Sequence, residues 1–153
     1  MRALGVDYGQ RRIGLALSDA SGTLARPWKA IARTGNASQI AHGLAGIVAA
    51  LKADDQDVAT IVLGFPRRLN GEPTAQTRLV TQVAGHLRSL VAIPVVLQDE
   101  RLSSREAEAL LARREKDWRK RKDLIDAMAA AVILQDYLDA QARPPAPTED
   151  DEA

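Results

Sequence analysis

The chain has 153 residues, the length of one ordinary domain, and its 46% hydrophobic and 27% charged residues are typical of a globular protein. The absence of cysteine excludes disulfides and thiolate metal sites, and the aromatic content of 3% argues against nucleic-acid binding through platforms of stacked rings. No apolar run is long enough to span a bilayer and no signal-peptide pattern precedes the first strand, so we expect a cytoplasmic protein.

The charged residues are unevenly distributed, although the net charge is only +1. Residues 143–153 contain four acids and one Arg, a net charge of −3, which leaves +4 on the rest of the chain. Prolines accompany these acids, and such a segment cannot bury enough apolar surface to offset its chain entropy. We therefore predict one domain over residues 1–142 and a disordered, acidic, proline-containing tail over 143–153.

The first part of the chain predicts three antiparallel strands. β-prone runs at Arg2–Tyr8 and Arg12–Ser18 flank a short turn, which is typical of a hairpin. A second turn at residues 19–22 leads to a third strand, Leu24–Ile31, in which Pro27 suits the edge of a sheet.

Helices and buried strands alternate in the next part. Asn36 or Ser38 is expected to cap an amphipathic helix that ends at the charged turn 54–57. The apolar strands Val58–Leu63 and Pro94–Leu97 flank a helix over Thr74–Leu90. This alternation implies a parallel crossover between the two strands.

Two further helices are expected in the last part. Ser103 and Glu106 have the spacing of a capping box at the start of one helix, and a polar stretch over 113–123 separates it from a final helix that runs from Leu124 to about Ala142. The whole order predicts an α/β fold with a mixed five-stranded sheet flanked by helices, as in an RNase H-like core.

Asp7 stands in the otherwise apolar first strand, where a carboxylate is costly unless it is paired or binds a cation. Considered alone, an aspartate two residues before Gly9 is better explained as a turn residue, because Asp and Gly both favour turns. Acids at the ends of other elements shift that balance towards a binding role.

Asp99 and Glu100 follow the last predicted strand. Since adjacent strand residues face opposite ways, we expect one of them near Asp7, and the spacing does not choose between them. The alternative is that both leave the sheet into solvent, where Glu100 pairs with Arg101 or Arg105.

Asp123 and Asp126 are three residues apart and share one face of the final helix. The alternative role for them is to favour the helix dipole from a first turn. Carboxylates converging at one end of a sheet suit Mg²⁺ or Mn²⁺ rather than zinc, and two such ions could hydrolyse a phosphodiester bond. His42 and His86 fall in predicted helices without triad spacing, so we interpret them as ordinary helix residues.

Basic residues accompany the proposed acids in three groups. Arginines make bidentate phosphate contacts and give a salt-sensitive affinity that does not depend on sequence, so structured RNA or branched DNA is the expected partner. The alternative for any single group is that its basic residues only form a solvent-exposed surface and bind no partner. The groups are Arg11 and Arg12, Arg67 and Arg68, and Arg101 and Arg105. A further basic segment, which contains Trp118 and ends at Lys122, predicts an arm that binds backbone phosphates.

Four segments of the sequence resemble the YqgF/RuvX family, RNase H-like proteins related to Holliday junction resolvases and implicated in maturing the 5′ end of pre-16S ribosomal RNA. The segments are LGVDYGQRRIGLALSD, VLGFPRRLNGEPT, DERLSSREAEALL and KDLIDAMAAAVILQDYLD. The resemblance implies that Asp7, Glu100 and Asp126 are catalytic metal ligands for Mg²⁺ or Mn²⁺, with Asp123 as an additional candidate.

The sequence therefore predicts a two-metal-ion nuclease that acts on structured nucleic acid, with pre-16S ribosomal RNA as the substrate that the resemblance implies. Branched DNA is one alternative substrate, and a non-catalytic RNA-binding factor of ribosome assembly is an alternative function. A phosphotransferase of the actin and sugar-kinase type has a similar phosphate loop, but it needs a second lobe for which 153 residues leave no room. The sequence does not choose between a monomer and a homodimer.

Overall fold

The computed structural model describes residues 1–9, 11–65, 75–99 and 118–142. In this part of the chain, no helix is both long and apolar enough to cross a membrane. The elements in chain order are β1 (Arg2–Tyr8), β2 (Arg12–Ser18), β3 (Ala25–Ala32), α1 (Ala37–Ala53), β4 (Val58–Phe65), α2 (Ala75–Leu90), β5 (Val95–Asp99) and α3 (Trp118–Ala142).

The five strands form one mixed sheet with the order β3-β2-β1-β4-β5. β1, β2 and β3 pair antiparallel, whereas β4 pairs parallel with both β1 and β5. The predicted mixed α/β sheet is therefore confirmed. Because β1, β4 and β5 run the same way, their carboxyl ends meet at one edge of the sheet, which is where ligands bind in many open α/β sheets.

The two faces of the sheet are covered by different helices. Alternate residues of β1, such as Leu4 and Val6, pack in the main core with α1 and α2. The residues between them belong to the other face, where Ala3 packs in a smaller core with α3. β1 is thus buried on both sides, as its largely apolar sequence indicates.

Helix α3 lies unusually close to the sheet because the facing positions are small. A Cβ at Gly5 would lie 2.8 Å from the Cβ of Leu134, and a Cβ at Gly14 would overlap the carbonyl oxygen of Asp126. The helix contributes small buried residues of its own, including Ala127 and Ala130. Backbone therefore packs against backbone, which fixes the height of α3 above β1 and β2.

The start of α3 differs from the prediction. The helix begins at Trp118, six residues before the predicted start at Leu124, so the last part of the polar stretch is helical. Residues 118–123 are mainly Arg and Lys, which are good helix formers, and no Gly or Pro interrupts them. Apolar periodicity did not reveal this part because the residues are polar.

Other boundaries agree more closely. Asn36 rather than Ser38 caps α1, in a capping box in which the Asn36 Oδ1 accepts from the Gln39 amide at 2.9 Å and the Gln39 Oε1 accepts from the Asn36 amide at 2.8 Å. β4 and β5 end two residues later than predicted. The predicted helix after Ser103 and the predicted tail 143–153 lie outside the described residues.

Candidate functional site

Asp7 lies near the carboxyl end of β1 with its side chain buried. It pairs with Gly14 of β2, and only 8% of the residue surface is exposed. Its Oδ1 lies 3.7 Å from the position that a Cβ of Gly64 in β4 would take, so the carboxylate is on the face of the sheet that α3 covers. A carboxylate in this position requires a compensating partner or cation.

Asp126 comes from α3 and lies over the same part of the sheet. Its carbonyl oxygen lies over Gly14, the strand partner of Asp7. Its Oδ1 is 3.7 Å from the position of a Cβ at Gly9, in the turn that follows Asp7. The structure thus brings Asp7 and Asp126, from two distant segments, to one end and one face of the sheet.

The alternative explanation of the acids in α3, that they lie in the first turn of the helix and favour its dipole, is wrong. The helix begins at Trp118, about two turns before Asp126, and its first turn contains no acidic residue. The favourable effect of a helix N-terminus on acids fades within the first turn. The dipole therefore does not account for the position of Asp126.

Arg12 supplies a positive charge to this region. Its Nε lies 3.6 Å from the Oδ2 of Asp126, and both side chains are 28% exposed. The pair is close enough to be an ion pair but open enough to solvent that it contributes little stability. Such an arginine can turn from the carboxylate to a phosphate when a polyanion approaches. Its neighbour Arg11 is exposed in the same turn.

The turn between β1 and β2 is held in place by Arg33, a residue that the sequence analysis did not single out. The Gly9 amide donates to the Arg12 carbonyl at 3.0 Å, and the Arg33 guanidinium donates to the Gly9 carbonyl at 2.9 Å. The Arg33 amide also donates to the Arg11 carbonyl at 3.1 Å. Only the pairing of β2 with β3 brings Arg33 to this turn, so no local sequence signal could have found it.

Tyr8 lies beneath the Arg33 guanidinium, on the opposite face of β1 from Asp7. The Cζ of Arg33 is 4.5 Å from the centre of the Tyr8 ring, and the Gln76 side chain donates to the Tyr8 carbonyl. Burial raises the pKa of the Tyr8 phenol, and the positive charge of Arg33 opposes part of that rise. These contacts fix the end of β1 that carries Asp7.

Asp99 lies on the other face of the sheet. Val95 and Leu97 of β5 pack with the main core, whereas Val96 packs with the core of α3. Strand alternation therefore places Asp99 with Val95 and Leu97, and the residue is exposed. Asp99 does not share the face of Asp7 and Asp126.

The remaining predicted site residues, or their side chains, lie outside the described part of the chain. Among the described residues, no three His, Asp or Glu side chains are grouped so that they could hold a metal ion. Asp7 and Asp126 nevertheless offer the carboxylate oxygens that Mg²⁺ and Mn²⁺ prefer. Outside the described residues are Glu100, Arg67, Arg68, Arg101 and Arg105, together with the side chains of Lys122 and Asp123.

Comparison with known sequences identifies relatives over nearly the whole chain. A family model described as "RuvX: Holliday junction resolvase" matches residues 1–140. A protein of Syntrophus aciditrophicus is 39% identical over 149 residues, covering 97% of this chain and 95% of the relative. A protein of Anaeromyxobacter dehalogenans is 41% identical over 142 residues, covering 93% and 99%. Both relatives bear the name "Putative pre-16S rRNA nuclease".

Solved structures with the same fold include RuvC of Thermus thermophilus. Its complex with a Holliday junction substrate has a TM-score of 0.54 at 18% identity, with 92% of this chain and 95% of that chain covered. Another RuvC structure from the same organism has a TM-score of 0.52 at 15% identity, with 92% and 96% covered. These similarities confirm the predicted RNase H-like α/β fold.

Proposed function

The chain belongs to the RuvX family of Holliday junction resolvase-like proteins, and from this membership we propose that it hydrolyses phosphodiester bonds of structured nucleic acid with Mg²⁺ or Mn²⁺. Its relatives at about 40% identity are named as nucleases of pre-16S ribosomal RNA. We therefore propose the 5′ end of that precursor RNA as the substrate, and a four-way DNA junction as the second candidate, which the description of the family model favours.

The observation that carries this proposal is the meeting of Asp7 and Asp126 on one face of the sheet. Asp126 lies over Gly14 and Gly9, and both glycines are neighbours of Asp7 in the β1–β2 hairpin. Two carboxylates in one partly buried region repel each other and favour a shared cation.

We propose that Asp7 and Asp126 hold the metal together with Glu100, the residue that the family resemblance implies, and that Asp123 is an additional candidate. Asp99 is not proposed, because β5 directs it to the opposite face. When bound, divalent cations in such a site supply an activated water and neutralise charge on the transition state. No side chain of this set has to act as the nucleophile.

The chain's own residues bind and orient the substrate in this proposal. Arg12, beside Asp126, and the exposed Arg11 would bind phosphate oxygens next to the cleaved bond. Arg33 holds the turn that carries both arginines through its bond to the Gly9 carbonyl. Further phosphate contacts are proposed from the sequence for Arg67, Arg68, Arg101, Arg105 and Lys122.

Cleavage assays on two substrates test the proposal. Purified protein is incubated with RNA that contains the 5′ leader of 16S ribosomal RNA, and separately with a four-way DNA junction, in Mg²⁺, Mn²⁺ or EDTA. We expect metal-dependent cleavage that falls at least about 100-fold in Asp7→Asn and in Asp126→Asn, because mutations around metal sites commonly cost one to two orders of magnitude or more. Asp136→Asn, also in α3, is the matched control and should cleave normally.

Each outcome of these assays has a definite meaning. Cleavage that persists in EDTA, or that survives Asp7→Asn, overturns the proposed mechanism. RNA binding that is insensitive to EDTA, with no cleavage of either substrate in any metal, supports a non-catalytic assembly factor instead. Cleavage of the junction alone assigns branched DNA as the substrate.

A further inference from the structure

The edge strand β3 lies in a segment of the chain whose charges are all basic. Between Asp19 and Asp54 the sequence contains no acidic residue. In the same segment it contains Arg26 and Lys29 in β3 and Arg33 directly after it. β3 also forms one edge of the sheet, with β2 as its neighbour. This edge therefore presents positive charge to whatever approaches it.

Trp28 is placed on this edge by an irregularity in the strand pairing. Leu15 pairs with Lys29 and Ala16 pairs with Pro27, so Trp28 is an extra residue in β3. Bulges of this kind redirect a side chain and are common next to functional sites. Trp28 is half-buried against the main core, and the Nζ of Lys29 lies 4.3 Å from the centre of its ring.

Grooves on both sides of Trp28 follow β3. One, of about 470 Å³, is lined by Arg12, Trp28, Lys29, Ile31 and Leu124. Since the Nε of Arg12 is 3.6 Å from the Oδ2 of Asp126, this groove opens beside the candidate metal site. The other groove, of about 340 Å³, has two arginines, Arg2 and Arg26, and one carboxylate, Asp19, in its lining beside Trp28. A polymer lying along β3 would thus pass Trp28 and reach Asp126.

We propose that this edge, formed by Trp28, Lys29 and the two flanking grooves, binds an unpaired segment of a nucleic-acid strand next to the cleavage site. One base stacks on the indole of Trp28, and the adjoining phosphates contact Lys29 and Arg12. The inference rests on the proposed function, because it assigns to the substrate a single-stranded stretch beside the bond that is cut. It also gives a local role to an aromatic residue in a chain that is poor in aromatics.

Chemistry favours an unpaired strand over a duplex. A base can stack on a protein ring only when it is free of its own stack, whereas the outer surface of a duplex presents phosphates and grooves. The Lys29 ammonium over the indole is an exposed cation–π contact, which is weaker than base–aromatic stacking. The flexible lysine side chain can therefore give up the ring face to a base and move to a phosphate.

The same features disfavour a protein strand as the occupant. A strand that added to β3 would need a regular row of backbone donors and acceptors. Pro27 has no amide hydrogen, and the bulge at Trp28 interrupts the regular spacing. The positive charge of the segment matches a polyphosphate directly.

Tryptophan fluorescence tests the inference, because the chain has only two tryptophans. Trp118→Phe leaves Trp28 as the single reporter, and Asp7→Asn in the same protein with EDTA present prevents cleavage. We expect a 12-nucleotide single-stranded RNA to quench Trp28, and a blunt RNA duplex of the same length to quench it much less. Absence of quenching by the single strand, or equal quenching by the duplex, overturns the proposal.

Binding of fluorescently labelled single-stranded RNA then separates stacking from packing. Trp28→Leu keeps apolar bulk and should weaken binding about 10-fold, whereas Trp28→Phe keeps a ring and should stay within about 3-fold of wild type. Lys29→Gln should reduce the slope of log affinity against log salt concentration by the amount expected for the loss of about one phosphate contact. Lys52→Gln, at the end of α1, is the control and should leave the slope unchanged. Equal binding by the Leu and Phe variants, with unfolding temperatures matching wild type, overturns the role of the ring.

Failure of this inference and failure of the proposed function give different results. If the chain is not a nuclease, no metal supports cleavage, but Trp28 is still quenched by the single strand. If the inference is wrong, Trp28→Leu binds and cleaves as wild type does while Asp7→Asn remains inactive. A concentration-dependent dimer that shields Trp28 in the absence of RNA would assign the edge to a second copy and also overturn the proposal.

Discussion

The carbonyl oxygen of Asp126 lies in the space that a Cβ of Gly14 would occupy, directly over the residue that pairs with Asp7. This contact sets how near the two carboxylates come. We expect Gly14→Ala to push α3 away from the sheet and to lower the free energy of unfolding by about 1–3 kcal/mol, the usual cost of overpacking a core. Urea denaturation measures that loss, and an Mn²⁺ titration should show weaker binding.

Gly46→Ala is the matched control for this substitution. Gly46 is exposed on α1, and a Cβ there would meet no atom within 4 Å among those described. Replacing a helical glycine by alanine should raise the free energy of unfolding by about 0.5–1 kcal/mol. If Gly14→Ala were as stable as Gly46→Ala, the close contact with Asp126 would not determine the position of α3.

Arg12 allows a test of charge without a large change in stability. Because its pair with Asp126 is partly exposed, Arg12→Gln should change the free energy of unfolding by less than about 1 kcal/mol. The slope of log affinity for RNA against log salt concentration should fall by about 1, since one phosphate contact is lost. Arg78→Gln, an exposed substitution on α2, should leave the slope unchanged. An unchanged slope in Arg12→Gln would remove Arg12 from the substrate contacts.

Arg33 is expected to act on the site through the hairpin turn. It donates to the Gly9 carbonyl and lies over the ring of Tyr8, so Arg33→Ala should cost about 1–2 kcal/mol of unfolding free energy. Because the turn follows Asp7 directly, Mn²⁺ affinity should fall as well, and Arg33→Lys should restore part of both. Calorimetry and urea denaturation measure the two effects. A loss of stability with unchanged Mn²⁺ affinity would restrict Arg33 to a structural role.

Several features of the site could be predicted from sequence because they depend on local patterns. The apolar strand around Asp7 predicted a buried carboxylate, and the burial is observed. The two strands after residue 55 predicted a parallel crossover, and the pairings of β4 with β1 and β5 confirm it. In each case the physical cause, strand periodicity or a crossover helix, is contained in a short segment.

Other features depend on contacts between distant segments. The position of Asp126 over the sheet requires Gly14, which lies more than a hundred residues earlier in the chain. The position of Trp28 follows from a shift in the register between β2 and β3, and the role of Arg33 follows from the same pairing. No periodicity within one segment carries this information, so Gly14, Trp28 and Arg33 were not predicted to contribute to the site.

Asp19 gives the turn between β2 and β3 a pH-dependent stability. Its carboxylate accepts hydrogen bonds from the amides of Thr23 at 2.7 Å and Leu24 at 3.1 Å and from the Ser21 hydroxyl at 2.8 Å, which lower its pKa to about 2. Since the pKa is depressed in the folded state, the stabilisation is present above the ordinary pKa of aspartate and is lost as pH falls towards 2. The difference in unfolding temperature between wild type and Asp19→Ala should therefore shrink as pH falls from about 5 to 2. A difference that stays constant over this range would contradict the assignment.

Metal binding by the site should appear as a change in stability, without any measurement of cleavage. A ligand present at 100 times its dissociation constant stabilises the folded state by about 2.7 kcal/mol. Mn²⁺ should therefore raise the unfolding temperature of the wild type and of Asp136→Asn, and EDTA should reverse the rise. Asp7→Asn should show no such rise, because the buried carboxylate that the cation needs has lost its charge. If Mn²⁺ stabilised Asp7→Asn as much as the wild type, the ion would bind elsewhere, and the burial of Asp7 would need another explanation.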